Sequence, residues 1–216
     1  MERWMKRIDT QGITYIEPLD GSPDWYWGMD YTHGDLYEAE ELFRQNHPVG
    51  GNKLVFVRCP EGRVIQPVTA GKGQYLGRPT GCGGKILILR VDFPQEVIEI
   101  FRFDPEPEEV ETLAEIPLAA AEDCYNLLLK QSPLMLTRQG KDDTFEILWP
   151  EKLRLTMGNT EAFVCRREDR LYFTAWYEDP EYREEVIVRS MASGEVLERF
   201  PGSWMTMPSG QTWILG

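Results

Sequence analysis

Two short stretches bring aromatic rings and carboxylates together at spacings that could do chemistry. The first is Asp24-Trp-Tyr-Trp-Gly-Met-Asp-Tyr31, and the second is Trp176-Tyr-Glu-Asp179. Flat rings stack on the C–H faces of sugars, and neighbouring acids accept hydroxyl protons or catalyse glycoside cleavage. Asp24, Trp25, Trp27, Asp30, Trp176 and Glu178 are therefore the candidate ligand-binding residues. The opposing expectation is that alternating Trp and Tyr fill the core of a sheet.

Other chemistries find less support. His33 and His47 are the two histidines. His33 stands between Asp30 and Asp35, an imidazole and two carboxylates that could ligate a metal, but the same residues suit a turn leading into a helix cap. No Gly-x-Ser-x-Gly elbow accompanies them, so a Ser-His-Asp triad has no frame. Gly71-Lys-Gly-Gln-Tyr-Leu-Gly77 and Gly81-Cys-Gly-Gly-Lys85 invite comparison with a phosphate loop. Lys85, however, runs into Ile86-Leu-Ile-Leu89, a strand pattern with no Ser or Thr for a metal and no helix to face a phosphate. The acidic run Asp104-Pro-Glu-Pro-Glu-Glu-Val-Glu111 lacks calcium-loop spacing and reads as a solvated turn. Cys59, Cys82, Cys124 and Cys165 contain no C-x-x-C pair and are expected to be free, buried thiols. The expectation is no metal, no cofactor and no assignable catalytic residue.

The elements that must position these residues are mostly strands. Glu161–Pro201 holds four runs rich in Val, Ile, Phe, Tyr and Trp, separated by Glu168-Asp169, Asp179-Pro180 and Ser193-Gly194, the pattern of an antiparallel meander. Lys85–Glu115 gives a second meander and Tyr125–Met157 a third. Earlier come an expected strand at Ile13–Ile16, a hairpin over Lys53–Val68 with Pro67 marking an edge, and a short strand at Gln74–Leu76. Ser203–Met207 and Thr212–Leu215 read as a last hairpin, expected to complete a sheet begun near Ile13. One helix is expected near residues 36–46. Asp35 and Glu38 form a capping-box pair, Leu36, Ala39, Leu42 and Phe43 recur at helical spacing, and His47-Pro48 ends it.

Glu109-Val-Glu-Thr-Leu-Ala-Glu-Ile-Pro117 and Glu195-Val-Leu-Glu-Arg-Phe-Pro201 can be superposed, which suggests a period of about 42 residues. Over Lys85 to Pro117 and Glu161 to Pro201 the chain resembles β-propeller proteins, whose blades are four-stranded sheets. No Gly-His or Trp-Asp blade signature is present, so the resemblance names no family and carries over no functional residue. It implies an all-β, mainly antiparallel, irregular propeller-like array of about four to five meanders. A β-sandwich or barrel would show similar short strands.

Composition sets the outer bounds. The 216 residues are 42% hydrophobic, 27% charged and 12% aromatic, enough for a single β-rich domain over 1–216. A net charge of −13 repels phosphate, so neither nucleic acid nor an anionic membrane is an expected partner. The N-terminus lacks the apolar core of a signal peptide and no run reaches membrane-span length, hence an expected cytoplasmic location. Together these features suggest a binding or scaffolding module for another protein or a small polar ligand. The alternative is a carbohydrate-binding or glycoside-hydrolysing enzyme. A third reading is self-association through the edge near Pro67.

Overall fold

The computed structural model describes residues 5–30, 35–122, 124–207 and 211–216. The chain divides into two compact units, residues 1–131 and 132–216.

The first unit opens with β1 (Glu17–Pro18), β2 (Trp25–Met29), β3 (Leu54–Arg58) and β4 (Arg63–Ile65), paired in chain order as one antiparallel sheet. Ile13–Ile16, expected as a strand, is irregular; pairing begins only at Glu17, opposite Trp27. Ile13 and Tyr15 instead cross β2 at Gly28, where an added Cβ would lie 2.6 Å from Ile13 Cγ2 and 2.5 Å from the Tyr15 carbonyl oxygen. Pro67 lies beyond β4, so the edge expected there ends before it.

Helix α1 (Leu36–Arg44) forms where the capping box predicts. The Asp35 carboxylate accepts from the Glu38 N–H, and the Glu38 carboxylate accepts from the Asp35 N–H, each at 2.9 Å. Its apolar side buries Ala39 and stacks Phe43 on Phe93 at 5.3 Å.

A second sheet follows: β5 (Gln74–Leu76), β6 (Thr80–Cys82), β7 (Lys85–Asp92), β8 (Val97–Asp104) and β9 (Glu109–Pro117), in the order β5-β7-β8-β9 with β6 also on β7. Leu87, Ile88 and Leu89 are all at most 1% exposed, so β7 is covered on both faces. A short 3₁₀ turn (Leu118–Ala121) leads to β10 (Cys124–Gln131).

The third sheet runs β10-β11-β12-β13, with β11 (Leu134–Gly140), β12 (Thr144–Trp149) and β13 (Leu153–Thr156) in the second unit. The fourth is the meander β14 (Glu161–Arg167), β15 (Arg170–Tyr177), β16 (Arg183–Ser190) and β17 (Val196–Pro201). Phe163, Phe173 and Ile187 lie opposite one another across β14–β16. With Phe145 of β12 they form a buried aromatic and aliphatic cluster, with ring centroids 4.4–5.4 Å apart. A last hairpin, β18 (Ser203–Thr206) and β19 (Thr212–Leu215), forms a separate two-stranded sheet rather than completing the first. Mostly antiparallel, consecutive four-stranded meanders are the strand order of propeller blades, and among the described residues no closed barrel is present.

Candidate functional site

The aromatic strand β2 spends its rings on packing. Trp25 and Trp27 share one face and are 6% and 3% exposed, with the guanidinium of Arg58 5.9 Å from the Trp25 ring centre and that of Arg78 5.7 Å from the Trp27 ring centre. Asp24 and Asp30 flank the strand at its two ends, about 20 Å apart along an extended backbone. A glycosidase pair needs about 5–10 Å, so these two acids do not converge. Asp24 is exposed. Asp30 ties its N–H to the Lys53 carbonyl at 3.0 Å, and its buried Oδ1 has no hydrogen-bond partner. The metal expectation involved His33, which lies outside the described residues. His47 is exposed, and among the described residues no three acids, thiols or imidazoles gather as a metal would require.

The acidic turn between β8 and β9 is neutralised locally. Arg58 pairs with Glu106 at 3.2 Å, Arg63 with Glu108, Arg102 with Glu111 at 2.5 Å and Lys85 with Asp104. The Lys85 ammonium and then the Glu106 N–H hold the Asp104 carboxyl below its ordinary value. The Gly-rich stretch turns into β6, a strand, so it presents no phosphate cradle. All four cysteines are free, but only Cys124 is buried; Cys59 is exposed and Cys82 and Cys165 are half-buried.

Trp176 and Glu178, in the second unit, are open to solvent: Trp176 is 47% exposed and Glu178 is also exposed. Trp176 stands directly across from Glu184 on β16. Ser203 and Tyr182 hydroxyls donate to the Glu184 carboxylate and hold its pKa below the ordinary value. The Glu184 carbonyl also accepts the Gly202 N–H at 2.8 Å. Glu184 thereby ties the start of β18 to β16.

Sequence reasoning did not anticipate how much apolar surface this unit leaves uncovered. On β17, Val196, Leu197 and Phe200 are 38%, 49% and 37% exposed. On the last hairpin, Met205, Trp213, Ile214 and Leu215 are 41–47% exposed. The signal was present in the chain: after Arg199 no residue carries a charge as far as Gly216.

No protein-family model and no curated protein matches the sequence. Among solved structures, the chain is similar to the β-propeller domain of the Trilobed protease from Pyrococcus furiosus, described as having an open velcro topology. The identity is 12%, the TM-score 0.47, and the match covers 91% of this chain and 60% of that one. It is also similar to a structure from a study of two prolyl endopeptidases, at 12% identity and a TM-score of 0.44, over 74% of this chain and 26% of that one. The chain thus spans less than two thirds of either structure. These are likenesses of fold, and the propeller-like architecture stands on the strand order itself.

Proposed function

We propose that the chain is a binding module that presents the apolar surface of residues 132–216 to a protein partner and does not turn over a substrate. The observation that carries this is the concentration of half-exposed large apolar side chains between Trp176 and Leu215. Scattered single apolar residues are ordinary on a surface, but a run of them on consecutive strands marks an interaction face. Trp176 and Glu178 belong to this surface; Trp25 and Trp27, packed in their own sheet, do not. An exposed aromatic anchor beside acids suits a polypeptide bearing apolar and basic side chains, in keeping with the net charge of −13.

The test is retention of a protein from cell extract by wild type and by surface variants. A specific partner is held by wild type and by Val110→Glu, which alters an exposed apolar residue of the first unit, but is lost from Trp176→Ala and Phe200→Glu. Equal retention by all four sinks the assignment. The open face of Trp176 also keeps the carbohydrate reading in play, and a saturable shift in Trp emission on oligosaccharide titration, abolished by Trp176→Ala, would replace protein binding with sugar binding.

A further inference from the structure

The last hairpin is built like half of a sheet. Its register, Ser203 with Leu215, Trp204 with Ile214, Met205 with Trp213 and Thr206 with Thr212, sorts its side chains onto two faces. Trp204 packs on Tyr172 at 5.6 Å and lies under the Arg167 guanidinium at 6.0 Å, while Arg167 donates to the Thr212 hydroxyl at 2.8 Å. Trp204 and Thr212 are half-buried on that face, where Ile214 stays 41% exposed, and on the other face Met205, Trp213 and Leu215 are 45–47% exposed. The Met207 N–H donates to the Gln211 carbonyl at 2.8 Å, which makes 207/211 a hydrogen-bonded pair. By the alternation of an antiparallel ladder, the N–H and C=O of Thr212 and Ile214 then point away from β18. No strand among the described residues pairs with that edge.

We propose that this edge is covered by the same strand of a second copy, β19 pairing antiparallel with β19 about a two-fold axis through Ile214. The proposal rests on reading this surface as a binding face and names its occupant. Three observations favour a second copy. First, the two-fold register sets Trp213 opposite Leu215 of the other copy, an aromatic–aliphatic cross-strand pair, and aligns the free Thr212 and Ile214 backbone groups with acceptors and donors. Second, two such hairpins make four strands, the length of the strand path in each other sheet of this chain. Third, in a chain of net charge −13, copies meet with the least like-charge opposition where side chains are uncharged, and no side chain of residues 200–216 is charged. β17, the other exposed apolar edge, carries Glu198 and Arg199 and so is not free of charged side chains. Nor does β19 carry the Lys or Pro that ordinarily blunts a free edge. One strand and its flanking side chains bury less than the ~800 Å² per partner of a standard interface, so the association belongs with the weak, concentration-dependent ones.

Sedimentation equilibrium of the full chain over a range of concentrations is the test. Wild type is expected to rise from its 25.0 kDa monomer mass toward twice that value. Trp213→Glu, with an unchanged circular dichroism spectrum, is expected to stay monomeric. Ile214→Cys in a Cys59→Ser background should form an oxidised, disulfide-linked dimer at the two-fold position, and Val110→Cys in the same background should not. Wild type that stays monomeric, a Trp213→Glu dimer, or equal cross-linking at 110 and 214 overturns the proposal. Nile red, a neutral apolar dye, separates the two levels of the argument. A monomer that binds the dye, and loses it in Trp213→Glu, refutes self-pairing but leaves a binding face; a monomer that binds none refutes both.

Discussion

Asn52 is 3% exposed, and its side-chain amide does the work of a strand neighbour. It donates to the Leu76 carbonyl at 2.8 Å and accepts the Leu76 N–H at 2.7 Å, so one side chain satisfies both backbone groups of a buried residue. Asn52→Leu orphans both, and the expected loss is about 2–4 kcal/mol in urea unfolding. Glu161 and Arg189 make the corresponding investment in the second unit. Their bidentate pair, 2.6 and 2.9 Å, joins β14 to β16 with side chains 5% and 13% exposed. Glu161→Leu strands a buried guanidinium and is expected to cost about 3–5 kcal/mol, while the double variant Glu161→Leu/Arg189→Met recovers most of that loss. An equal loss in single and double variants would mean that the packing, not the ion pair, sets the cost. Neither site was legible in the sequence, because a polar residue in a strand pattern does not say whether it meets water or an unpaired backbone. The same ambiguity holds for Trp25, Trp27 and Trp176: the residue type is shared, and only the neighbouring layers bury two and leave the third open.

Among the elements, those set by local chemistry were the readable ones. The Asp35–Glu38 box and the helical spacing place α1 within two residues of its observed end, and the alternating runs from Lys85 onward become β7–β9 and β11–β17. Elements set by distant contacts were not readable. β6 lies in a Gly-rich run that resembles a loop, and Ile13–Ile16 forgoes pairing to cross over Gly28. The seat of the last hairpin also depends on tertiary contacts. Gly202, at φ +116°, makes the turn from β17, and an added Cβ would meet the Leu215 carbonyl oxygen at 2.4 Å. The Glu184 carboxylate then holds Ser203. Because its folded-state pKa is depressed below the ordinary 4.5, this anchor contributes fully above that value and is lost as the pH falls through the folded-state value. Acidification from pH 6 toward pH 3 is therefore expected to lower the amide protection factors, exchange relative to the intrinsic rate at each pH, of Ser203–Thr206 and Thr212–Leu215 ahead of those of β15 and β16. In Glu184→Gln the protection of these two strands should be low already at pH 6 and change less with pH. A hairpin that exchanges in step with β16 at every pH would mean that Glu184 does not hold it.

At the scale of the molecule, the distribution of charge matters more than its total. The chain has 36 acidic residues against 23 basic ones, yet the acids of the β8–β9 turn are tied to arginines and Lys85, and the stretch after Arg199 has no charge at all. Composition foretold the acidity; it could not foretell that the uncharged side chains of the tail form a hairpin that leaves Met205, Trp213, Ile214 and Leu215 41–47% exposed, since a hydrophobic hairpin ordinarily buries such residues. This distribution fixes the sign of a salt effect on self-association. Two copies, each at −13, repel at long range, and added salt screens that repulsion within a Debye length of about 10 Å at 0.1 M. The β19 contact itself contains no ion pair for salt to weaken. Raising sodium chloride from about 20 mM to about 500 mM is therefore expected to strengthen the dimer severalfold, measured as a leftward shift of the mass-against-concentration curve in sedimentation equilibrium. An interface built on cross-copy ion pairs, for example between Arg170 or Arg199 of one copy and the acids of another, would dissociate over the same range, and a dimer that weakens with salt would move the contact away from β19 to those charged strands.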